Sequence, residues 1–284
     1  MGRIDASLDE NVDPATVEGF GDEWTRFDQS QLSDDERRLH FDRYFRIFPW
    51  ERVGPESRGF DLGCGSGRWA MEVAPRVGHL ACVDPSRAAL SVAQRNLTVH
   101  RNVSFHEASA TALPFAPRSQ DFGYSLGVLH HVPEPDRALR DCVRTLKPGA
   151  PFLLYLYYRF DHRPFWFRAL WRVSDVVRRA IARVPEKARQ HVTDGIAAAV
   201  YLPAARAARF VDKVGLDPSP LPLSYYRNAS FYTMRTDARD RFGTRLEHRF
   251  TRPEIQAMMN EAGLESVRFS RLEPYWCAVG FRSL

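Results

Sequence analysis

Short apolar runs alternate with helical patterns along the chain from Arg58 to about Tyr158. The runs have the length of buried strands, and the segments between them repeat apolar residues at helical spacing. Strands that alternate with helices form parallel sheets with helices packed on both faces. We therefore predict a doubly wound α/β fold with a mostly parallel sheet. The predicted strands lie in RGFDLG, HLACVD, NVSFHEA, FGYSLG and APFLLYLYY.

The segments on either side of this stretch predict additions to the α/β core. Near the N-terminus, Ser33 and Glu36 have the spacing of a capping box at the start of a helix. After Tyr158 the alternation stops, and two or three helices punctuated by proline and glycine are expected. The predicted divisions are a helical cap at 1–55, the α/β core at 56–158, a helical and irregular insertion at 159–250, and the last helix and strands of the core at 251–284.

The positive charge of the chain is concentrated in the insertion. Between Arg159 and Lys213 there are 12 Lys and Arg against five Asp and Glu, in a chain whose net charge is +5. The helical pattern at 163–184 predicts a basic amphipathic helix, and three roles stay open for it: a surface helix with arginines in water, a contact with an anionic membrane or amphiphilic acceptor, or a contact with an acidic substrate or partner subunit. Its predicted apolar stripe is Phe167, Leu170, Trp171, Ser174, Val177 and Ile181.

Composition indicates a globular protein of a reducing compartment. The chain is 44% hydrophobic and 26% charged, and neither a run of about 18 apolar residues nor a secretory signal is visible. We therefore expect a cytoplasmic protein without stable membrane insertion. The cysteines are widely spaced, which predicts buried free thiols, and no metal site is expected because ligand residues do not cluster. The cysteines are Cys64, Cys82, Cys142 and Cys277.

Three glycines follow the first predicted strand in GFDLGCGSGRWA, at Gly63, Gly65 and Gly67. Glycines let the backbone turn tightly and approach a ligand where a Cβ would block it, and the helix that follows presents free N–H groups. Such a loop suits a nucleotide-like ligand. Asp84, at the end of the second predicted strand, is placed to accept hydrogen bonds from ribose hydroxyls, a device that NAD enzymes also use.

The glycine spacing resembles the first motif of class I S-adenosylmethionine-dependent methyltransferases, D/E-x-G-x-G-x-G. Two later segments are similar to the same family: ASATALPF resembles its adenine-side segment, and FGYSLGVLHHVPEPDRALRDCVRTLKPGA resembles its fourth strand and LKPGG turn. Arg68 replaces the third glycine of the dinucleotide pattern GxGxxG, which disfavours an NAD-dependent oxidoreductase. Ser109 replaces the aspartate usual in the adenine-side segment.

The resemblance implies a seven-stranded sheet with an antiparallel last strand and S-adenosylmethionine as cofactor. It implies in-line methyl transfer to a small organic or lipid-like acceptor, with acceptor choice residing in 160–250. An S-adenosylmethionine-binding enzyme with another reaction, such as cyclising the cofactor, stays open. Trp24 either closes over the cofactor or anchors the cap. The implied cofactor residues are Asp61, Gly63, Cys64, Gly65, Gly67, Asp84, Pro85, Ser109, Ala110, Gly127 and Trp24.

Candidate catalytic residues follow the fourth strand and lie in the insertion. His130 and His131 would lie at the edge of the cofactor pocket, either as a base or as residues that shape it. Tyr225 and Tyr226 lie in an irregular segment, either over the site or as ordinary core aromatics. Nucleic acid is not expected as a partner, because the fourth strand ends in YSLG and not in the D/N-P-P-Y/F motif of base methylation. A homodimer is left open.

Overall fold

The structure is a computed structural model that describes residues 11–161 and 163–284, so the first ten residues of the predicted cap and His162 lie outside the described residues. Its strands are β1 Arg58–Leu62, β2 His79–Asp84, β3 Val103–Glu107, β4 Phe122–Leu126, β5 Pro151–Tyr155, β6 Leu264–Phe269 and β7 Cys277–Arg282. Its helices are α1 Pro14–Arg26, α2 Asp34–Tyr44, α3 Ala70–Val73, α4 Arg87–Asn96, α5 Pro135–Thr145, α6 Phe165–Ile181, α7 Glu186–Ile196, α8 Leu202–Lys213, α9 Phe231–Gly243 and α10 Arg252–Glu261.

The strands form one seven-stranded sheet in the order β3-β2-β1-β4-β5-β7-β6. Strands β1 to β5 pair in parallel, and β7 pairs antiparallel with both β5 and β6. The predicted doubly wound, mostly parallel sheet with an antiparallel last strand is confirmed. The chain leaves β1 toward β2 on one side and returns to β4 on the other, which opens a crevice at the carboxyl ends of β1 and β4.

Both faces of the sheet are buried, as a parallel sheet requires. In β2, Leu80 and Cys82 belong to the apolar cluster on one face, and Ala81 and Val83 belong to the cluster on the other. Alternation at a period of two residues therefore fixes which side chains of each strand reach which layer of helices. All four cysteines are buried as free thiols, as predicted.

The chain divides into two compact units. The first contains the sheet and is made of the described residues up to Asp28, Arg38–Arg159 and Leu246–Leu284. The second is made of Gln29–Arg37 and Phe160–Arg245, and it has a core of its own. Buried apolar side chains of this second core are Ile181, Ala197, Tyr201, Ala205, Met234, Ala238 and Phe242.

Two local predictions are wrong in detail. In α6, the six residues of the predicted stripe do not share one environment: Leu170 and Val177 are exposed and Ile181 is buried, because a second apolar arc runs along this helix. The capping box forms only in part: Ser33 Oγ accepts from Glu36 N at 3.2 Å, but Glu36 Oε1 accepts from Ser230 N at 2.9 Å. The Glu36 carboxylate therefore caps the N-terminus of α9 within the second unit.

Within residues 11–161 and 163–284, none of the helices combines the length and the apolarity needed to cross a bilayer.

Candidate functional site

The loop after β1 turns through three glycines in the left-handed region of backbone space. The φ angles of Gly63, Gly65 and Gly67 are +71°, +53° and +78°. A side chain at these angles costs roughly 1–2 kcal/mol per residue, so the alternating glycines are needed for the turn itself. The loop begins on the sheet, where Gly63 N donates a hydrogen bond to Val83 O at 2.7 Å.

The same glycines allow close approach of neighbouring side chains. A Cβ built on Gly65 would lie 2.7 Å from Nε1 of Trp24, and one on Gly63 would lie 2.4 Å from the Val128 side chain. A Cβ on Gly67 would meet Leu97 at 2.9 Å. Trp24 of α1 therefore packs against the backbone of the glycine loop. Its two predicted roles, closing over a cofactor or anchoring the cap, both stay predictions.

Asp84, the last residue of β2, holds the loop from the side. Its Oδ2 accepts a hydrogen bond from Gly65 N at 2.9 Å, and its Oδ1 accepts one from Ser86 N at 2.8 Å. Burial raises the pKa of Asp84 to about 6, although these two hydrogen bonds oppose the rise. The side chain is therefore a carboxylate near neutral pH that two backbone hydrogen bonds hold in place.

Asp61 lies in β1, beneath the loop, and is almost completely buried. Burial raises the pKa of Asp61 to about 8; the adjacent Tyr124 hydroxyl lowers it in part and the charge of Asp84 raises it further. Two carboxyl groups are thus brought together under the glycines. Cys64 is also buried here, beside Cys82 of β2, and its pKa is raised by hydrogen bonding with Cys82 and by burial. A thiol in that state is not a nucleophile.

The other predicted cofactor residues follow β2, β3 and β4 at the same edge of the sheet. Pro85 directly follows β2, and Ser109 and Ala110 are buried in the turn after β3, where Ser109 Oγ accepts from Thr111 N at 3.3 Å. Gly127 follows β4 with a φ of +80°, and a Cβ built there would meet open space. The ends of four neighbouring strands thus bring these residues together.

The two predicted histidines lie in a short 3-10 turn after β4, and both are buried. The His130 ring stacks on Tyr157 with centroids 3.9 Å apart, and burial holds its pKa well below the usual value, so it is neutral. Nδ1 of His131 lies 2.7 Å from the carbonyl oxygen of Leu246. A carbonyl only accepts, so Nδ1 carries a proton, and in the neutral form of the ring Nε2 is therefore the acceptor.

Residues 246–249 complete this cluster, and sequence reasoning did not select them. His248 N donates to His130 O at 2.8 Å, and Arg249 Nε pairs with Glu247 Oε1 at 2.7 Å with both side chains nearly buried. The Arg249 guanidinium lies 5.2 Å from the Tyr157 ring centroid. The available signal was an acid, a histidine and an arginine in succession just before the capping box of α10.

Tyr225 and Tyr226 lie in a 3-10 turn of the second unit, whereas the two histidines lie in the first. The Tyr226 ring packs 5.2 Å from Tyr201, a residue of the second core. Burial raises the pKa of Tyr226 well above its usual value, so its hydroxyl stays protonated. Tyr226 therefore packs within its own unit, and the catalytic role predicted for Tyr225 and Tyr226 stays a prediction.

Comparison with known proteins matches the core of the first unit. Residues 60–154 match the family model of a methyltransferase domain. Over 145 residues the chain is 32% identical to the ubiquinone biosynthesis O-methyltransferase of Hahella chejuensis. This alignment covers 50% of this chain and 60% of that protein. A second alignment, over 115 residues, is 32% identical to the demethylmenaquinone methyltransferase of Clavibacter sepedonicus and covers 40% of this chain and 47% of that protein.

The fold extends beyond the matched sequence. A solved structure of an S-adenosylmethionine-dependent methyltransferase from Methanosarcina mazei superposes with a TM-score of 0.50 at 18% identity, covering 84% of this chain and 99% of that one. The chain spans only 39% to 60% of the length of the curated relatives it matches first. Residues 60–154, which carry the glycine loop and Asp84, therefore match a methyltransferase domain, and the predicted resemblance to class I S-adenosylmethionine-dependent methyltransferases is confirmed for this part of the chain.

Proposed function

We propose that this protein transfers a methyl group from S-adenosylmethionine to a small, lipid-like acceptor. One observation carries the proposal: the Asp84 carboxylate is bonded to the backbone of a three-glycine turn at the crevice between β1 and β4. A turn fixed from the side by a carboxylate suits a nucleoside with a ribose diol and a positive charge.

The residues present fit this cofactor. The glycines at 63, 65 and 67 form a cradle that a Cβ would fill, and Gly127 borders open space after β4. Asp84 would accept hydrogen bonds from the ribose hydroxyls, and the buried Asp61 carboxyl would lie beneath the methionine portion. Trp24 would cover the loop, with Pro85, Ser109 and Ala110 along the base side. When bound, the cofactor supplies an electrophilic methyl group.

The part of this chain in the reaction is to orient the acceptor, exclude water and take a proton. His131 is the better placed of the two histidines for the proton, because Leu246 fixes its tautomer with Nε2 as acceptor. His130 stacks on Tyr157 and fills the space behind it. The buried Glu247–Arg249 pair holds the backbone that carries the Leu246 carbonyl.

For the acceptor we propose a phenolic or quinol head group with an apolar portion. The two relatives described above are named for ubiquinone biosynthesis and for demethylmenaquinone methylation. A hydroxyl on an aromatic ring gives His131 a proton of suitable acidity to remove. The second unit, with its apolar and aromatic residues, is proposed to select the acceptor.

Calorimetric titration with S-adenosylmethionine and S-adenosylhomocysteine tests the cofactor, and mass spectrometry of phenolic and quinol acceptors after incubation tests the transfer. We expect binding of both nucleosides and a gain of one methyl group on an acceptor oxygen or ring carbon. Binding of NADH with no binding of either nucleoside would overturn the proposal. Cofactor binding with conversion of the cofactor itself and no methylated acceptor would favour cyclisation.

A further inference from the structure

An apolar face of α6 is exposed to solvent. Three of its aliphatic and aromatic side chains are more than half exposed by a wide margin: Phe165 at 78%, Val173 at 63% and Val176 at 65%. We define the α6 outer face as Phe165, Trp166, Ala169, Leu170, Val173, Val176, Val177 and Ala180. All eight of these residues are exposed.

These eight residues form one continuous arc. At 100° per residue they cover about 140° of the helix circumference, and no polar residue interrupts the arc. The opposite side of the helix is the buried one. It contains Arg178, whose Nε donates to Asp175 Oδ1 at 2.8 Å and whose Nη1 donates to Thr244 O at 3.1 Å. The helix is thus anchored in the second unit by one face and leaves a wholly apolar face free of that core.

Arginines border the outer face along one edge. Arg168, Arg172 and Arg179 are exposed and fall between the buried side and the apolar arc, and Arg179 is also paired with Asp175. The segment from Arg159 to Lys213, in which they lie, has an excess of seven positive charges over negative ones. A long aliphatic stem lets an arginine bend its guanidinium toward anionic groups while the apolar arc is covered.

We infer that the α6 outer face docks on the surface of an anionic lipid bilayer, with the helix axis parallel to the membrane. A contiguous apolar surface of this size marks an interaction site in a globular protein. Protein interfaces mix polar groups into the apolar area, whereas this arc holds none and its charges stand only at the border. An interfacial helix has that arrangement: the apolar side enters the acyl boundary, and the cationic border meets lipid phosphates.

Sedimentation with vesicles of phosphatidylcholine, with or without about 30% phosphatidylglycerol, tests the docking with no cofactor or acceptor present; the anionic lipid supplies the negative surface potential that attracts basic segments. Binding is expected to the anionic vesicles and to fall with added salt. The outcome is independent of methyl transfer, so failure of the proposed reaction leaves it intact. Leu170→Gln with Val173→Gln is expected to weaken binding at least about tenfold.

Two controls make the result specific. Val99→Gln changes another exposed valine, 79% exposed in the first unit, and is expected to leave vesicle binding unchanged. Arg168→Gln with Arg172→Gln is expected to lower binding to anionic vesicles about tenfold and to leave the weak binding to neutral vesicles unchanged. Circular dichroism checks that each variant keeps its helix content.

Quenching by lipids brominated in the acyl chain locates the contact. Trp166 belongs to the outer face and Trp171 to the buried side, so Trp166→Phe should remove most of the quenching and Trp171→Phe little of it. The inference is overturned if the folded protein does not bind anionic vesicles, or if the outer-face and control variants bind them equally. It is also overturned if sedimentation velocity shows that Leu170→Gln with Val173→Gln only dissociates a dimer.

Discussion

The carboxylate of Asp84 accepts a hydrogen bond from the backbone N–H of Gly65, with 2.9 Å between Oδ2 and N. This bond joins the end of β2 to the loop that follows β1, two strands that already pair in parallel. Since the Trp24 indole packs against Gly65, the Asp84 carboxylate fixes the loop directly and the position of the tryptophan indirectly. The acid at the tip of β2 therefore shapes the site even before a ribose is bound.

Asp84→Asn should lower both stability and affinity for S-adenosylmethionine. The amide offers one acceptor oxygen where the carboxylate offers two, so either Gly65 N or Ser86 N loses its partner in a buried place. An unsatisfied buried donor costs about 1–3 kcal/mol, and a lost ribose contact costs a similar amount of binding free energy. Chemical denaturation and calorimetric titration measure the two losses.

Asp42→Asn is the matched control for this substitution. Asp42 is exposed on α2 of the first unit, so removing its charge should change neither quantity beyond about 0.5 kcal/mol. If Asp84→Asn binds the cofactor as tightly as the control does, Asp84 has no role in the ribose contact.

The effects of Gly65→Ala and Trp24→Ala on the stability of the protein should not be additive. An alanine at 65 carries both the cost of a positive φ and a clash of its Cβ with the indole, whereas Gly127→Ala carries only the first, because nothing lies near its Cβ. Gly65→Ala should therefore destabilise the protein by about 1 kcal/mol more than Gly127→Ala. Removing the indole in the double variant should recover that difference. Additive effects on the melting temperature would show that the indole does not press on the loop.

Local sequence patterns were sufficient for the cofactor half of the site. Strand, turn and helix are determined by neighbouring residues, and a glycine with positive φ is recognised from its spacing after an apolar run. Gly63, Gly65, Gly67 and Asp84 consequently lie where the sequence put them, at one edge of the sheet. What the ligand contacts there stays a prediction.

Contacts between distant residues could not be predicted in this way. His131 meets Leu246 across 115 residues, and no local periodicity carries that information. In α6 the difficulty was different: the helix has apolar residues on two sides, so the pattern alone did not decide that Leu170 and Val177 face outward. One of the three roles left open for this helix placed its arginines in water, but Arg178 is buried and paired with Asp175.

Single and double substitution of the buried pair Glu247 and Arg249 should lower the stability of the protein by different amounts. Glu247→Leu removes the carboxylate that pairs with the Arg249 guanidinium, and only 10% of the Arg249 side chain is exposed. The free energy of unfolding should therefore fall by about 3–5 kcal/mol. Glu247→Leu with Arg249→Met removes both charges and should recover part of this loss. Urea denaturation of the three variants measures the coupling. A double variant less stable than Glu247→Leu would contradict it.

His131→Asn should separate turnover from cofactor binding. The asparagine amide can still donate to the Leu246 carbonyl, so the local fold is kept while the acceptor at Nε2 is lost. If His131 takes the acceptor proton, kcat should fall about 10²- to 10⁴-fold, and the Kd of S-adenosylmethionine should change little. His130→Phe keeps the ring stacked on Tyr157 and is expected to retain most of the activity. Equal losses in both variants would assign the histidines to packing.

Asp61 should make the protein less stable as pH rises toward alkaline values. Burial raises its pKa from 3.8 to about 8, so the folded state holds a proton that the unfolded chain releases between these values. The folded state then binds more protons, and the free energy of unfolding falls with pH by up to about 1.4 kcal/mol per unit. The stabilisation is complete below 3.8 and lost as pH passes about 8.

Asp61→Asn removes this titration without removing the side-chain volume. The variant should therefore gain stability relative to the native protein as pH is raised from 5 to 9, because only the native protein must bury a charge at the upper end. Asp84 titrates in both proteins and therefore enters the difference only through its electrostatic coupling to Asp61. Denaturation curves at each pH give that difference directly. A difference that stays constant across the range would mean that Asp61 is ionised throughout, so the carboxyl group beneath the glycine loop would carry its charge before any cationic ligand arrives.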